Sequence, residues 1–418
     1  MSTDAASSQS QTSYVIIGGG LTAARAVEGI RERDPDGRIT VIAEEKHLPY
    51  ERPPLSKGIM LGKDEEDVVF THDQAWYDEQ HVDLHLGTAA TAIDPGAHTV
   101  TLADGSTVPW SKLLLATGSS VRTLDVDGAD LQDIFYLRTL DDCEALKARL
   151  VAGSDIVIVG AGWIGLEIAA AAREHGCEVT VVEPQEAPLH AVVGPEVGGW
   201  FADLHRSHGV EFRFGEGVER FTGNDDQKVT GVVTSGGDTI QADTVVVGVG
   251  IRPNTELAEA AGLSVDNGVV TDAALRTSVP DIYAAGDVAN WHSTTLDTNL
   301  RVEHWANAND GGTAVGKSMA GEDVTYDPIP FFFSDQYDAG LEYSGYVPRD
   351  TKTEVVLRGD PKKNEFMAFW LDGDRVLAGM HVNVWDTIPA IEKLVRDKTP
   401  VDRSKLADPD VPLEDVGA

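Results

Sequence analysis

Residues 154–185 read SDIVIVGAGWIGLEIAAAAREHGCEVTVVEPQ. The run Ile156, Val157, Ile158, Val159 is apolar and β-branched, and short enough for a buried strand. Gly160, Gly162 and Gly165 break it at the spacing G-x-G-x-x-G. A helical pattern then runs to about His175, with Gly176 as its C-terminal cap, and a second strand, EVTVVE, ends at Glu183. Strand, glycine turn, helix, strand, acid is the order that a dinucleotide-binding βαβ unit requires. The glycines let backbone amides approach a pyrophosphate, the helix N-terminus adds partial positive charge, and the acid accepts hydrogen bonds from ribose hydroxyls.

The same order stands 142 residues earlier, counted from Gly18 to Gly160. In SYVIIGGGLTAARAVEGIRERDP, Tyr14 to Ile17 read as a strand, Gly18 to Gly20 as the turn and Leu21 to Arg33 as the helix, which DPDG stops. RITVIAEE follows as a strand that ends at Glu44. Ala23 replaces the last glycine, a permitted variant. Each half is closed by a further strand, SKLLLATG to Gly118 and ADTVVVGVG to Gly250. VEFRFGEGVERF and KVTGVVTSGGDTIQ read as antiparallel strands of the second half. From about Thr325 the pattern changes to short strands with aromatic clusters and a closing helix near 386–398, the signature of a third, α+β domain.

Composition narrows the function. The 418 residues carry 69 acidic against 33 basic side chains, a formal net charge of −36. That balance excludes non-specific nucleic-acid binding and docking on anionic lipid. It fits a strongly solvated acidic surface or salt adaptation. The chain is 42% hydrophobic, yet no run of 18 apolar residues appears, so no membrane helix is expected. Residues 1–13 are small and polar, lack the plan of a signal peptide and read as a disordered tail. Cys143 and Cys177 are the only cysteines, with no C-x-x-C pair, which excludes a dithiol redox centre and fits a reducing cytoplasm. The histidines show no metal-ligand spacing, so no metal is expected.

Two dinucleotide sites in one chain suggest FAD and a nicotinamide nucleotide. On these motifs the chain resembles the two-dinucleotide-fold flavoproteins, which are glutathione-reductase-like. Within them it is similar to the NADH-dependent ferredoxin reductases of bacterial oxygenase systems, the putidaredoxin reductase and biphenyl dioxygenase reductase type. The resemblance covers residues 14–418. It implies an α/β fold with two Rossmann-like domains, FAD-binding at 14–121 and 251–324 and NAD-binding at 122–250. A C-terminal α+β interface domain follows at 325–418. It implies electron transfer from NADH through FAD to a [2Fe–2S] ferredoxin, and onward to a monooxygenase or a Rieske dioxygenase.

Several motifs carry the resemblance residue by residue. LPYERPPLSK, residues 48–57, matches the flavin loop, which implies Arg52 near the FAD phosphates and Lys57 at the reactive edge of the isoalloxazine ring. The two prolines fix the backbone ahead of a short helix and so aim Lys57. A cation there stabilises negative charge gained by the ring. YLRTLDD supplies Arg138, YAAGDVAN supplies Asp287 for the ribityl chain, and RVEHWANAND places Trp305 beside the flavin. Gly18, Gly20, Thr22, Ala23, Glu44, Ala90, Thr117 and Gly118 complete the implied FAD contacts. Gly160, Gly162, Ile164, Gly165, Glu183 and Gly250 form the implied NAD set. Glu167, two residues beyond Gly165, matches a glutamate that pairs with the flavin-side lysine. FFFSDQY, residues 331–337, resembles the C-terminal signature, but phenylalanines stand where tryptophans are common, which puts an aromatic electron relay there in doubt.

NADH is favoured over NADPH. Glu183 would repel a 2′-phosphate, and PQEAPLHAVVG after it offers no arginine or lysine to receive one. Ala191 stands where an arginine is common in the resembled family, and His190 is a candidate replacement. Other acceptors stay open at this point: rubredoxin, or a small quinone or radical as in monodehydroascorbate reductase. A signalling flavoprotein of apoptosis-inducing-factor type is a further alternative. A disulfide reductase would need a cysteine in the flavin loop, which has none. Arg301, Arg349, Lys352, Lys362 and Lys363 are candidates for a local basic docking patch.

Overall fold

The computed structural model describes residues 11–418, so most of the expected tail lies outside the described residues, and Ser13 already opens a strand. The chain forms two compact units. One contains the residues up to Glu51, Val69–Ser119 and Pro253–Pro328; the other contains Arg52–Val68, Ser120–Arg252 and Ile329–Ala418.

The first unit is built on a five-stranded parallel sheet in the order Ile282–Ala284, Lys112–Leu115, Ser13–Ile17, Arg38–Ile42, Val82–His85. Its central strands Ser13–Ile17 and Lys112–Leu115 are apolar and buried on both faces, as parallel strands are. Val15, Ile17, Ile42, Leu113, Leu115 and Ile282 share one core with Trp110. The glycine-loop strand lies at the centre and its neighbours run out to either side, so its carboxyl end is the topological switch point at which α/β sheets bind ligands. The helix Leu21–Arg31 follows that strand. Strand Arg38–Ile42 stops two residues short of Glu44, which is exposed in the turn beyond.

The second unit repeats this plan. Its parallel sheet runs Val210–Phe214, Glu178–Glu183, Asp155–Val159, Thr244–Val247, Ile134–Phe135. In each unit a three-stranded antiparallel meander follows, Ala90–Asp94 to Thr107–Pro109 in one and Val218–Gly223 to Thr239–Gln241 in the other. One expectation is corrected here, and one element was not anticipated. Residues 210–214 were expected to be antiparallel but pair in parallel with Glu178–Glu183, because the helix His190–Ser207 carries the chain back across the sheet. That helix is absent from the sequence reading: Gly194 at φ 76° and Pro195 kink it and mask its periodicity.

Residues 331–382 form an antiparallel sheet, Phe331–Gln336, Ala339–Gly345, Arg375–Val382, Glu365–Asp372, Glu354–Asp360, in agreement with the α+β reading. The helix Ile388–Asp397 packs on it through Ile391 and Val395. This part belongs to the same unit as the second dinucleotide fold, and so does the loop 52–68. The reason is packing. The 3-10 turn Pro53–Ser56 contacts the helices Leu140–Lys147 and Trp163–Glu174, and strand Phe331–Gln336 contacts the latter as well.

Candidate functional site

Both glycine turns have room for an anion. At Gly18 (φ 121°) a Cβ would stand 2.0 Å from the Ala116 carbonyl oxygen, and at Gly160 (φ 100°) 2.4 Å from that of Gly248, so the fold itself requires these glycines. Gly20 and Gly162 differ: their φ values, −95° and −79°, suit any residue, and a Cβ there would meet nothing within 4 Å. The space in front of each helix start is thus open. No side chain caps either helix, whereas Asp73, Thr139 and Asp402 cap helices elsewhere. Open space, uncapped amides and a helix start form the cradle that a dinucleotide pyrophosphate fits.

Glu183 is locked. One carboxylate oxygen accepts from the Ala161 amide of the glycine turn at 2.8 Å, the other from the Gln185 amide at 2.9 Å. Ile164, on the first helical turn, leaves 43% of its surface exposed, and Val192 leaves 42%. His190 faces Glu186 at 3.9 Å.

The loop 49–57 and Glu167 hold a buried polar cluster. Pro53 takes the first position of the 3-10 turn Pro53–Ser56, and Lys57 follows as its C-terminal cap. The Lys57 ammonium lies 2.5 Å from Glu167 Oε1, with the glutamate side chain only 3% exposed. Ser56 Oγ donates to Glu167 Oε2 at 2.5 Å, and Ser334 Oγ donates to Oε1 at 2.6 Å. Strand alternation explains Ser334: Ser334 and Gln336 point inward while Asp335 is exposed. Behind it, Gln336 Nε2 donates to Ser334 Oγ at 3.2 Å, and Gln336 Oε1 lies 2.8 Å from His205 Nε2. Burial lowers the His205 pKa to about 4, against a smaller rise from the Gln336 hydrogen bond. The Lys57 ammonium stands 5.6 Å from the centre of the Phe333 ring, and Phe332 lies 4.9 Å from Trp163 and from Tyr343. Phe333 therefore flanks the ion pair, while Phe332 packs in an aromatic cluster with Trp163 and Tyr343.

Comparison with known proteins gives the family. Residues 12–312 match the family described as pyridine nucleotide-disulphide oxidoreductase, and 331–417 match the one described as reductase C-terminal. The chain belongs to the pyridine nucleotide-disulphide oxidoreductase family. It is 41% identical to the ferredoxin–NAD(+) reductase component of an anthranilate 1,2-dioxygenase system from Burkholderia cepacia, over 96% of this chain and 98% of that one. It is 35% identical to putidaredoxin reductase from Pseudomonas putida, over 96% of each. The solved covalent complex of putidaredoxin reductase with putidaredoxin superposes with a TM-score of 0.92 at 35% identity, covering 97% of this chain and 98% of that one. The expected fold, two Rossmann-like domains with a C-terminal α+β domain, therefore stands.

In this family member the remaining candidates divide between the units. In the first, Thr22 and Ala23 are buried in the helix after the turn, Ala90 opens a meander strand, and Asp287 sits in a 3-10 turn whose Gly286 packs on Thr22. Thr117 is clasped to Asn254 by two 2.8 Å bonds, its hydroxyl donating to the Asn254 carbonyl, and Gly118 follows at φ 63°. Trp305 opens the helix Trp305–Met319, and its indole donates to Glu51 at 3.1 Å. In the second unit, Arg52 donates to the Arg138 carbonyl, and Arg138 precedes the capping box of Thr139 and Asp142. Gly165 is tight, a Cβ there meeting the Gly160 carbonyl at 2.2 Å, and Gly250 takes φ 100°.

Arg301 differs from the other candidates for a basic patch. Its side chain is 11% exposed and bound to Glu303 at 2.6 Å. Arg349, Lys352, Lys362 and Lys363 are exposed on the second unit. The sequence reading missed Ser56, Ser334, Gln336 and His205; the first three stand inside quoted motifs, but only the fold brings them to Glu167. Both cysteines are free and buried. Among the described residues no group of acids, histidines and cysteines could hold a metal, and no helix is long and apolar enough to cross a membrane.

Proposed function

We propose that the chain is an NADH-dependent ferredoxin reductase: it takes hydride from NADH and passes single electrons through FAD to a [2Fe–2S] ferredoxin that feeds an oxygenase. One observation carries the reading. Three motifs of this type of reductase, PPLSK, the second glycine-turn helix and FFFSDQY, meet on a single carboxylate, Glu167. The flavin loop offers a lysine and a serine at this point, and no cysteine. The similarity to ferredoxin reductases over both chains' lengths supports a protein acceptor.

FAD, when bound, supplies the exchange between a two-electron donor and a one-electron acceptor. The chain's own residues do the rest. In our assignment Gly18, Gly20, Thr22 and Ala23 receive the FAD pyrophosphate, with Glu44 on the ribose. Ala90, Thr117, Gly118, Asp287, Trp305, Arg52 and Arg138 hold the remainder. Gly160, Gly162, Ile164, Gly165 and Gly250 receive NADH. Glu183, fixed by two backbone amides, accepts from its ribose and repels a 2′-phosphate. Lys57 presents a fixed cation where negative charge develops, and Glu167 holds it there. Because the two thiols are free and buried, we place the protein in the cytoplasm.

The test is NADH-driven reduction by the purified, FAD-loaded protein. A [2Fe–2S] ferredoxin should accept electrons faster than rubredoxin or a small quinone. A quinone that outruns every iron–sulfur protein overturns the protein-acceptor reading, and protein that folds but binds no FAD overturns the whole assignment.

A further inference from the structure

The hydrogen bonds behind Glu167 all run one way. Its carboxylate, paired with Lys57, only accepts, so Ser334 must donate its proton to Oε1. The serine oxygen then accepts from Gln336 Nε2, which turns Gln336 Oε1 toward His205. Two acceptors cannot face each other at 2.8 Å, so neutral His205 carries its proton on Nε2. His205 Nδ1 is left to accept from the Tyr337 hydroxyl at 3.3 Å, and burial keeps that phenol protonated by raising its pKa. Tyr337 itself is held at φ 56° in the strand turn and stacks at 3.6 Å on His208. His205, Ser334 and Gln336 are each no more than 1% exposed.

We propose that Gln336 and His205 are positioning residues, the rear of a one-way donor chain that fixes the Glu167 carboxylate and, through it, the Lys57 ammonium. The proposal rests on the reading of Lys57 given above. An amide in mid-chain does not relay protons, so the chain does not carry them; it polarises. Each donor strengthens the next, and all of the polarity ends on one carboxylate. Without Gln336, Ser334 loses the group that orients its oxygen, and its hydroxyl is held less firmly on Glu167. A carboxylate short of one donor draws the ammonium closer, so less of the cation's field reaches the reacting ring.

Stopped-flow reduction of the FAD-loaded protein by NADH tests this, together with the flavin midpoint potential and the unfolding of apoprotein. Gln336→Leu should slow flavin reduction about tenfold and lower the potential, with the KM for NADH unchanged within about twofold. His205→Leu should act in the same direction, and His205→Gln, which keeps a donor, should restore the rate. In a Lys57→Met background Gln336→Leu should add little, because the chain acts through that lysine. In apoprotein the Gln336→Leu and Lys57→Met losses of stability should likewise fall short of adding. Ser334→Ala provides the same reading if Gln336→Leu does not fold.

An unchanged rate and potential in Gln336→Leu, with only a lower Tm, overturns the proposal. So does full additivity with Lys57→Met, or a His205→Gln as slow as His205→Leu. Lys57→Met that reduces as fast as the parent overturns the reading of Lys57 instead, and the apoprotein cycle then decides whether the chain acts on Glu167 at all.

Discussion

His205 gives a test of the buried network that needs no cofactor. Its side chain is fully buried, and burial holds its pKa at about 4 against an ordinary value of 6.5. Between these two values the unfolded chain binds a proton that the folded chain refuses. Stability is therefore unaffected by His205 above about pH 6.5 and is lost as pH falls toward 4. The loss is about 1 kcal/mol at pH 5.5 and about 2 kcal/mol at pH 5. His205→Gln has no titrating ring and keeps a donor toward Gln336. Urea midpoints of the parent and of His205→Gln should be similar at pH 7.5. On acidification the parent should fall behind until the gap reaches about 2 kcal/mol at pH 5. Measurement stops there because the sequence pI is about 4.5 and the uncharged protein loses solubility. Every carboxylate in the chain also titrates in this window, but those terms are common to both proteins and cancel. Parallel curves from pH 7.5 to 5 would show that His205 is free to protonate, and would refute the dry hydrogen-bonded site described for it.

Three further outcomes follow from the geometry. Glu167→Gln should slow flavin reduction by NADH at least tenfold and, by leaving a buried cation unpaired, cost about 3 kcal/mol of stability; stopped-flow and urea unfolding check both, and a variant of parental rate removes Glu167 from the reaction. NADH should exceed NADPH in kcat/KM, with Glu183→Ala narrowing the ratio about tenfold through the loss of one charged acceptor; equal values in the parent contradict the role given to this acid. Burial raises the Cys143 pKa to about 11 and raises that of Cys177, so iodoacetamide at pH 7 should leave NADH-driven ferredoxin reduction intact; stoichiometric inactivation would place a thiol in the chemistry.

What was legible in the sequence was what backbone sterics demand locally. Gly18 and Gly160 are forced by positive φ and by a carbonyl within 2.4 Å, so the motif reports its own geometry. The prolines of PPLSK likewise announce the turn that they fix. The helix His190–Ser207 was not legible, since Gly194 and Pro195 break its pattern and tertiary packing of Val193, Val197 and Phe201 holds it together. Missing that helix also misdirected strand Val210–Phe214, because a strand's direction depends on what carries the chain to it. Ser334 lies 167 residues from the glutamate it touches and Gln336 131 residues from its histidine; no local pattern encodes such pairs.

The placement of Glu167 also argues for chemistry over stability. A buried lysine–glutamate pair loses in desolvation about what it gains in attraction, so a well-packed apolar pair of similar volume would hold the helix and loop together as well or better. The surroundings could supply that packing, since Leu55, Leu166 and Ile168 are all 2% exposed or less. Instead the fold spends Ser56, Ser334, Gln336 and His205, four buried polar side chains, on satisfying one carboxylate and the groups behind it. In a chain with 69 acidic residues, an acid is ordinarily left in water. Here a charge is taken out of water, paired with Lys57 from the loop 49–57 and clamped by the strand Phe331–Gln336. A local departure from the packing rule, compensated by residues drawn from three distant segments, is the mark of a site in which the position of a charge matters.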